Sequence, residues 1–95
     1  MTPDDVSQVR HNEAASRFEL DTPSGVGVAD YEREGDRITF THTEVPTAAR
    51  GQGAGDQLAR AGMEYARAEG LKVVPQCPFI ASWLREHPEY EDLRA

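Results

Sequence analysis

Hydrophobic and polar residues alternate along the first half of the chain and recur at helical spacing along the second. From Ser16 to Asp21, Phe18 and Leu20 take alternate positions, and the turn cluster Thr22-Pro23-Ser24-Gly25 follows. Val26 and Val28 alternate next, Tyr31 adds a strand former, and Glu34-Gly35-Asp36 makes a second turn. Ile38 and Phe40 then alternate with Thr39 and Thr41. A period of two, bounded by turn residues, marks a strand. The spacing therefore predicts three strands in an antiparallel meander. A short edge strand is expected at Val6 to Val9, after a flexible tail over residues 1–5.

The period changes after Arg50. Leu58, Ala61, Gly62, Tyr65 and Ala66 fall on one face of a helix, and Asp56, Arg60, Glu64 and Arg67 form the opposite, charged stripe. Asp56 and Arg60 are spaced to pair across one helical turn. Gly70 is a natural stop, and Leu71 to Val74 reads as a short apolar strand. Strand, helix and strand in that order predict one βαβ unit with a right-handed crossover. The last helix starts at Cys77-Pro78, because proline favours the first helical position and leaves Cys77 as N-cap. Ile80, Trp83, Leu84 and His87 mark its face, and His87-Pro88 ends it. The element order predicts an α+β (mixed α/β) fold, with residues 1–95 as one domain without linker or repeat.

Composition narrows the function classes. The net charge is −7, from 17 acidic and 10 basic residues. Nucleic-acid binding needs a basic footprint, which this chain lacks. An anionic ligand would have to be held by a local site. A single cysteine, Cys77, permits no internal disulfide and points to a reducing, cytoplasmic setting. Met1-Thr2-Pro3-Asp4-Asp5 does not start as a signal peptide does, and no run approaches the ~20 apolar residues of a membrane span. One cysteine and scattered histidines make no zinc pattern. Oligomeric state is left open, a monomer being sufficient.

The segment Val45-Pro46-Thr47-Ala48-Ala49-Arg50-Gly51-Gln52-Gly53-Ala54-Gly55 lies between a strand and a helix. Glycines let a backbone approach a ligand closely, and the helix N-terminus behind them carries roughly half a positive charge. Together they suit a phosphate group. A P-loop is excluded, since Gly55 is followed by Asp56 and Gln57 rather than Lys-Ser/Thr. A Rossmann fingerprint is excluded too, because the sixth position counted from Gly51 is Asp56. Glycines that only turn a strand into a helix are the plain alternative.

Here the chain resembles a known family. Arg50-Gly51-Gln52-Gly53-Ala54-Gly55 matches the Arg/Gln-x-x-Gly-x-Gly/Ala pyrophosphate loop of the GNAT N-acetyltransferases. Thr43-Glu44-Val45-Pro46, Gly70-Leu71-Lys72-Val73-Val74-Pro75, Cys77-Pro78-Phe79 and His87-Pro88-Glu89-Tyr90 are similar to its minimal, single-domain YjdJ-type branch. The likeness runs from about Phe18 to Leu93. It implies a truncated GNAT-like fold without the two helices that usually follow the first strand. It implies acetyl-CoA or coenzyme A as acyl donor, with no metal. Val45, Arg50, Gly51, Gln52, Gly53, Ala54 and Gly55 are then the residues that hold it. The open acceptor side suits an amine on a protein or peptide.

Acyl transfer from a thioester to an amine needs a neutral amine, a stabilised oxyanion and a proton for the leaving thiolate. Many family members use a tyrosine on the last helix as that acid. Trp83 stands where related sequences often carry it, and an indole N–H donates a hydrogen bond but is no useful acid. Cys77 is the alternative: a thiol at a helix N-terminus ionises more easily, so it can carry the acyl group or protonate departing CoA. It can equally be a small buried hydrophobe. His42 and Glu44 flank Thr43 and would share the buried face of Ile38 and Phe40 on a regular strand. A bulge near Thr43 would re-aim them, and either could then take the amine proton; a cross-strand hydrogen bond is the structural alternative. His87 is expected to close its helix, His11 to have no partner at metal-ligand spacing, Tyr90 and Leu93 to anchor the C-terminus, and Arg60 and Arg67 to be solvated. Trp83 and Phe79 are expected in the core, either being able to border the pantetheine arm. Two functions fit: an acetyl-CoA-dependent N-acetyltransferase, or a CoA-binding module without catalysis.

Overall fold

A computed structural model describes residues 8–49, 51 and 53–95. The tail over residues 1–5, Val6, Arg50 and Gln52 lie outside the described residues. Five strands form one sheet in the spatial order β1-β2-β3-β4-β5: Arg10–Asn12, Arg17–Thr22, Gly25–Glu34, Arg37–Glu44 and Lys72–Pro75. The first four are antiparallel neighbours, and β5 lies parallel to β4. Helix α1 (Ala54–Glu69) makes the crossover between β4 and β5, and α2 (Pro78–Glu86) follows β5. The chain closes in a 3₁₀ turn, Pro88–Leu93. This is a mixed α/β fold, as the pattern predicts.

Both helices pack against the same face of the sheet. The inward set is Phe18, Leu20, Ala29, Tyr31, Ile38, Phe40 and Val73. In β3 the spacing misleads: Gly27 and Ala29 point inward, and Val26 is 49% exposed. Register explains this, since Leu20 faces Gly27 and Phe18 faces Ala29. Opposite two large residues the helix leaves room only for small ones, so β3 carries its bulk on the open face. The face of α1 is also rotated from expectation. Ala59 and Met63 are fully buried beside Leu58, Gly62 and Ala66, whereas Ala61 and Tyr65 are only partly covered. The first strand begins later than expected, at Arg10.

The last helix starts and ends as predicted. Cys77 is its N-cap in extended conformation, Pro78 opens it, and His87 closes it. Tyr90 and Leu93 are buried, and Ala95 N–H bonds to the Val73 carbonyl at 2.8 Å. The C-terminus thus covers the outer edge of β5, which would otherwise offer unpaired amides.

Helix α1 approaches the sheet most closely at Gly62. A Cβ there would lie 2.7 Å from the Phe40 ring, which is fully buried. Gly62→Ala gains helix propensity of about 1 kcal/mol, but overpacking a tight core costs about 1–3 kcal/mol and the ring cannot retreat. The variant should melt several degrees lower than the parent by circular dichroism, on a scale of roughly 4–8 °C per kcal/mol for a domain of this size. A rise in melting temperature would show that the ring has somewhere to go.

Candidate functional site

Strand β4 has partners on both sides only as far as Phe40. Arg37 to Phe40 pair with Lys72 to Pro75, whereas His42, Thr43 and Glu44 pair with β3 alone. Between these halves lies a bulge: Tyr31 faces Phe40 and Asp30 faces His42, so Thr41 is the extra residue. A bulge reverses the facing of all that follows. It sits two residues earlier than the expected place near Thr43, with the same effect. His42 and Glu44 leave the buried face and stand exposed on the open one, 58% and 71% accessible and 3.6 Å from each other. Thr43 turns inward instead. The structure therefore brings His42 to Glu44, and Thr43 rather than either of them to Cys77.

Where β5 ends, the chain turns into α2 and leaves a gap beside β4. Cys77 N–H bonds to the Phe40 carbonyl at 2.8 Å, which fixes the start of α2 at the end of the paired segment. The Cys77 thiol donates to Thr43 Oγ1 at 3.4 Å across the gap. Further out the gap widens into a cleft of about 360 Å³ lined by Thr43, Val45, Gly51, Gly55 and Phe79. Phe79 forms one wall, so close to Gly55 that a Cβ there would stand 2.7 Å from the ring. It is 40% exposed and so borders the cleft instead of joining the core.

The cleft runs on to the start of α1. Gly51 and Gly53 have φ of +82° and +88°, which L side chains rarely adopt, and open space lies where a Cβ would be. Gly53 is the N-cap, and the first helical bond is from Gln57 N–H to its carbonyl. The amides before Gln57 have no partner within the helix. Ala54, by contrast, is buried. A helix start whose first amides have no partner within the helix, glycines that leave the backbone uncovered and a strand edge without a neighbouring strand suit an elongated ligand with a phosphate end.

Cys77 is almost wholly enclosed, at 5% exposure. Burial alone raises a thiol pKa. Here the Thr43 hydroxyl, with the backbone N–H groups of Ile80 and Phe79 at the helix start, outweighs burial and holds the thiol below its ordinary range. Of these partners the Thr43 side chain acts most strongly on the sulfur.

With this geometry in place, comparison with known proteins is informative. A family model described as GCN5-related N-acetyltransferase matches residues 17–93. The chain belongs to the GCN5-related N-acetyltransferase family. It is 36% identical to protein NATD1 of Gallus gallus over 84 residues, which is 85% of this chain and 76% of that protein. It is 33% identical to protein NATD1 of Xenopus tropicalis, over 93% of this chain and 84% of that one. A GCN5-like protein of Staphylococcus aureus, solved by NMR, shares the fold with a TM-score of 0.69 at 22% identity, over 92% of this chain and 86% of that one.

Within this GCN5-related domain, several residues have partners that spacing does not reveal. Trp83 donates its indole N–H to Asp56 Oδ1 at 3.0 Å, so its polar atom faces α1 and not the cleft. Arg60 and Arg67 are not simply solvated. Arg60 lies over Trp83 and bonds Asp56; Arg67 lies over Tyr90 and pairs with Asp92. His11 stacks on Phe18, sits against the Tyr65 edge and has Nε2 2.7 Å from the Tyr31 hydroxyl. Burial lowers its pKa. His87 donates Nδ1–H to the Trp83 carbonyl at 2.7 Å, consistent with closing its helix. Among the described residues no three His, Cys, Asp or Glu side chains gather at a metal site.

Once the thiol loses its proton, the Thr43 hydroxyl can turn and donate to the sulfur, so Thr43 favours the Cys77 thiolate. Thr43→Val keeps the shape and removes the hydroxyl, so the Cys77 pKa should rise. Ultraviolet thiolate absorbance against pH should show the titration moving to higher pH. No movement would mean that backbone amides, those of Phe79 and Ile80 with that of Thr43 itself, hold the thiolate without the hydroxyl.

Proposed function

We propose that the chain is an acetyl-CoA-dependent N-acetyltransferase with an exposed acceptor side. The observation that carries this reading is the gap between the unpaired end of β4 and the start of α2, with Cys77 at its inner end and the amides of α1 at its outer end. The donor is a phosphate-bearing thioester, and these features fit it. Gly51, Gly53, Ala54 and Gly55 would offer backbone N–H groups to the pyrophosphate, with Arg50 and Gln52 in the same loop by sequence. Val45 and the β4 edge would lie along the pantetheine amides, with Phe79 against its apolar stretch. The donor supplies the activated acetyl group.

The chemistry then falls to Cys77. Its thiolate attacks the thioester carbonyl, a carbon–sulfur bond forms to Cys77, and the bond to CoA breaks as CoA leaves as a thiolate. The neutral acceptor amine next attacks the acetyl group, and Cys77 departs as thiolate. The amine proton passes through water to His42 or Glu44, which stand on the open face and not beside Cys77. That face carries no helix among the described residues, and exposed Val26 lies on it, so an amine on a protein or peptide has access.

A CoA-binding module without turnover is the second reading. It is favoured by the Trp83 indole N–H being committed to Asp56, which leaves no tyrosine-type acid on α2. The two readings separate on Cys77. In the first, Cys77→Ser should keep CoA binding and lose acetyl transfer to a panel of amines, and the parent should gain one acetyl on Cys77 by intact mass after brief exposure to acetyl-CoA. Equal turnover in parent and variant, with no added mass, would end the covalent route.

Gly53→Val tests the loop separately. Its φ of +88° strains any branched side chain, and a Cβ would enter the space beside the amides. CoA affinity by calorimetry should fall by about tenfold or more, equal to about 1.4 kcal/mol. Unchanged affinity in a folded variant would overturn the assignment of the pyrophosphate to this loop.

A further inference from the structure

Helix α1 carries a carboxylate, Asp56, in its first turn, beside the amides that the proposed function assigns to a pyrophosphate. A carboxylate at this third helical position ordinarily reaches back to the free N–H groups of its own helix. It would then occupy the donors a phosphate needs and repel the phosphate as well. Here, among the described residues, its hydrogen bonds go elsewhere. Asp56 Oδ1 instead accepts from the Trp83 indole at 3.0 Å and from Arg60 Nη2 at 3.3 Å. His87 Nε2 stands 3.6 Å from the same oxygen. The His87 ring lies flat on the Trp83 indole with centroids 3.7 Å apart, and Arg60 covers the indole at 5.5 Å. All three partners lie away from the cleft, whose lining includes Gly55 but not Asp56.

We propose that Trp83, backed by the stacked His87 ring and joined by Arg60, is a positioning device that holds the Asp56 carboxylate off the N-terminal amides of α1 and so keeps them free for the donor's pyrophosphate. This rests on the donor binding at that loop. It also gives the tryptophan a reason beyond packing. Only Trp83 brings both an apolar body for the core and an N–H aimed at Asp56. Trp83→Phe keeps most of the body and removes the N–H. With one of its donors gone, the carboxylate is released toward the amides one turn away.

Calorimetric binding of CoA to Trp83→Phe, Asp56→Asn and the double variant tests this, with no turnover required. Trp83→Phe should weaken CoA by roughly three- to tenfold, the size of one unscreened charge at such range. Asp56→Asn in that background should restore parental affinity, because a neutral amide does not repel phosphate. The loss should also shrink in high salt, as a charge effect does. Arg60→Met, which keeps the stem and drops the charge, should weaken CoA in the same direction and be rescued in the same way. Parental affinity in Trp83→Phe overturns the proposal. So does a loss that Asp56→Asn does not rescue and salt does not reduce, which would make Trp83 a packing residue only. If the parent itself binds no CoA, the loop assignment fails first, which is a different result from either.

Discussion

The whole site depends on one interruption of hydrogen bonding in β4. Up to Phe40 the strand is shared between β3 and β5; beyond Thr41 only β3 remains. A strand edge with no neighbouring strand is a liability inside a small domain unless something covers it. The bulge at Thr41 makes it usable. Thr41 Oγ1 donates to the Asp30 carbonyl at 3.4 Å, which closes the irregular pairing on the β3 side. The reversal that follows sends Thr43 inward to Cys77 and two polar residues outward to water. Without it, His42 and Glu44 would be buried beside Phe40, which costs several kcal/mol unless both are bonded.

Close packing converts that local feature into a cleft of defined shape. Gly62 lets α1 lie directly on the Phe40 ring, so the helix has little freedom to shift along the sheet. Cys77 N–H on the Phe40 carbonyl ties α2 to the same residue. Phe40 therefore holds the start of α2, which bears the thiol, and the middle of α1, whose first turn follows the glycines. The aromatic cluster of His11, Phe18, Tyr31 and Tyr65 fills the space under the other half of α1. A chain this short has little core to spare, and these contacts cannot be loosened without moving the site.

Much of this was legible in the sequence, for identifiable reasons. Turn clusters at Thr22–Gly25 and Glu34–Asp36 delimit the meander, and Pro78 and Pro88 fix the ends of α2, because proline and glycine act through local sterics. The glycine turn and the Cys77 cap are local in the same sense. What escaped depends on partners far along the chain. The inward face of β3 follows from register against β2, which the alternation of Val26 and Val28 does not reveal. The bulge was foreseen from the cost of burying His42 and Glu44, but its place follows from β3 opposite. The partners of Trp83 and His11 lie 27 and 20 residues away, whereas the Asp56–Arg60 pair, four apart, was readable from helical spacing.

The molecule's charge bears on how such a site can work at all. With a net charge of −7, the average field repels a polyphosphate. The described cations offer little relief, since most are already engaged. Arg10 and Arg17 pair with carboxylates on the sheet, Arg33 with Glu69, Arg60 with Asp56, Arg67 with Asp92 and Arg94 with Glu91. A backbone donor array avoids this competition, because amides carry no net charge to be neutralised by a neighbouring carboxylate. Their field also falls off within about a turn, well inside the ~8 Å screening length of physiological salt, so distant acidic residues scarcely reduce it. Asp56 is the acidic side chain close enough in sequence to oppose it, and it is turned toward α2. An acidic surface and an anion site can therefore coexist in 95 residues, provided that the site is built from backbone and the nearest carboxylate is held elsewhere.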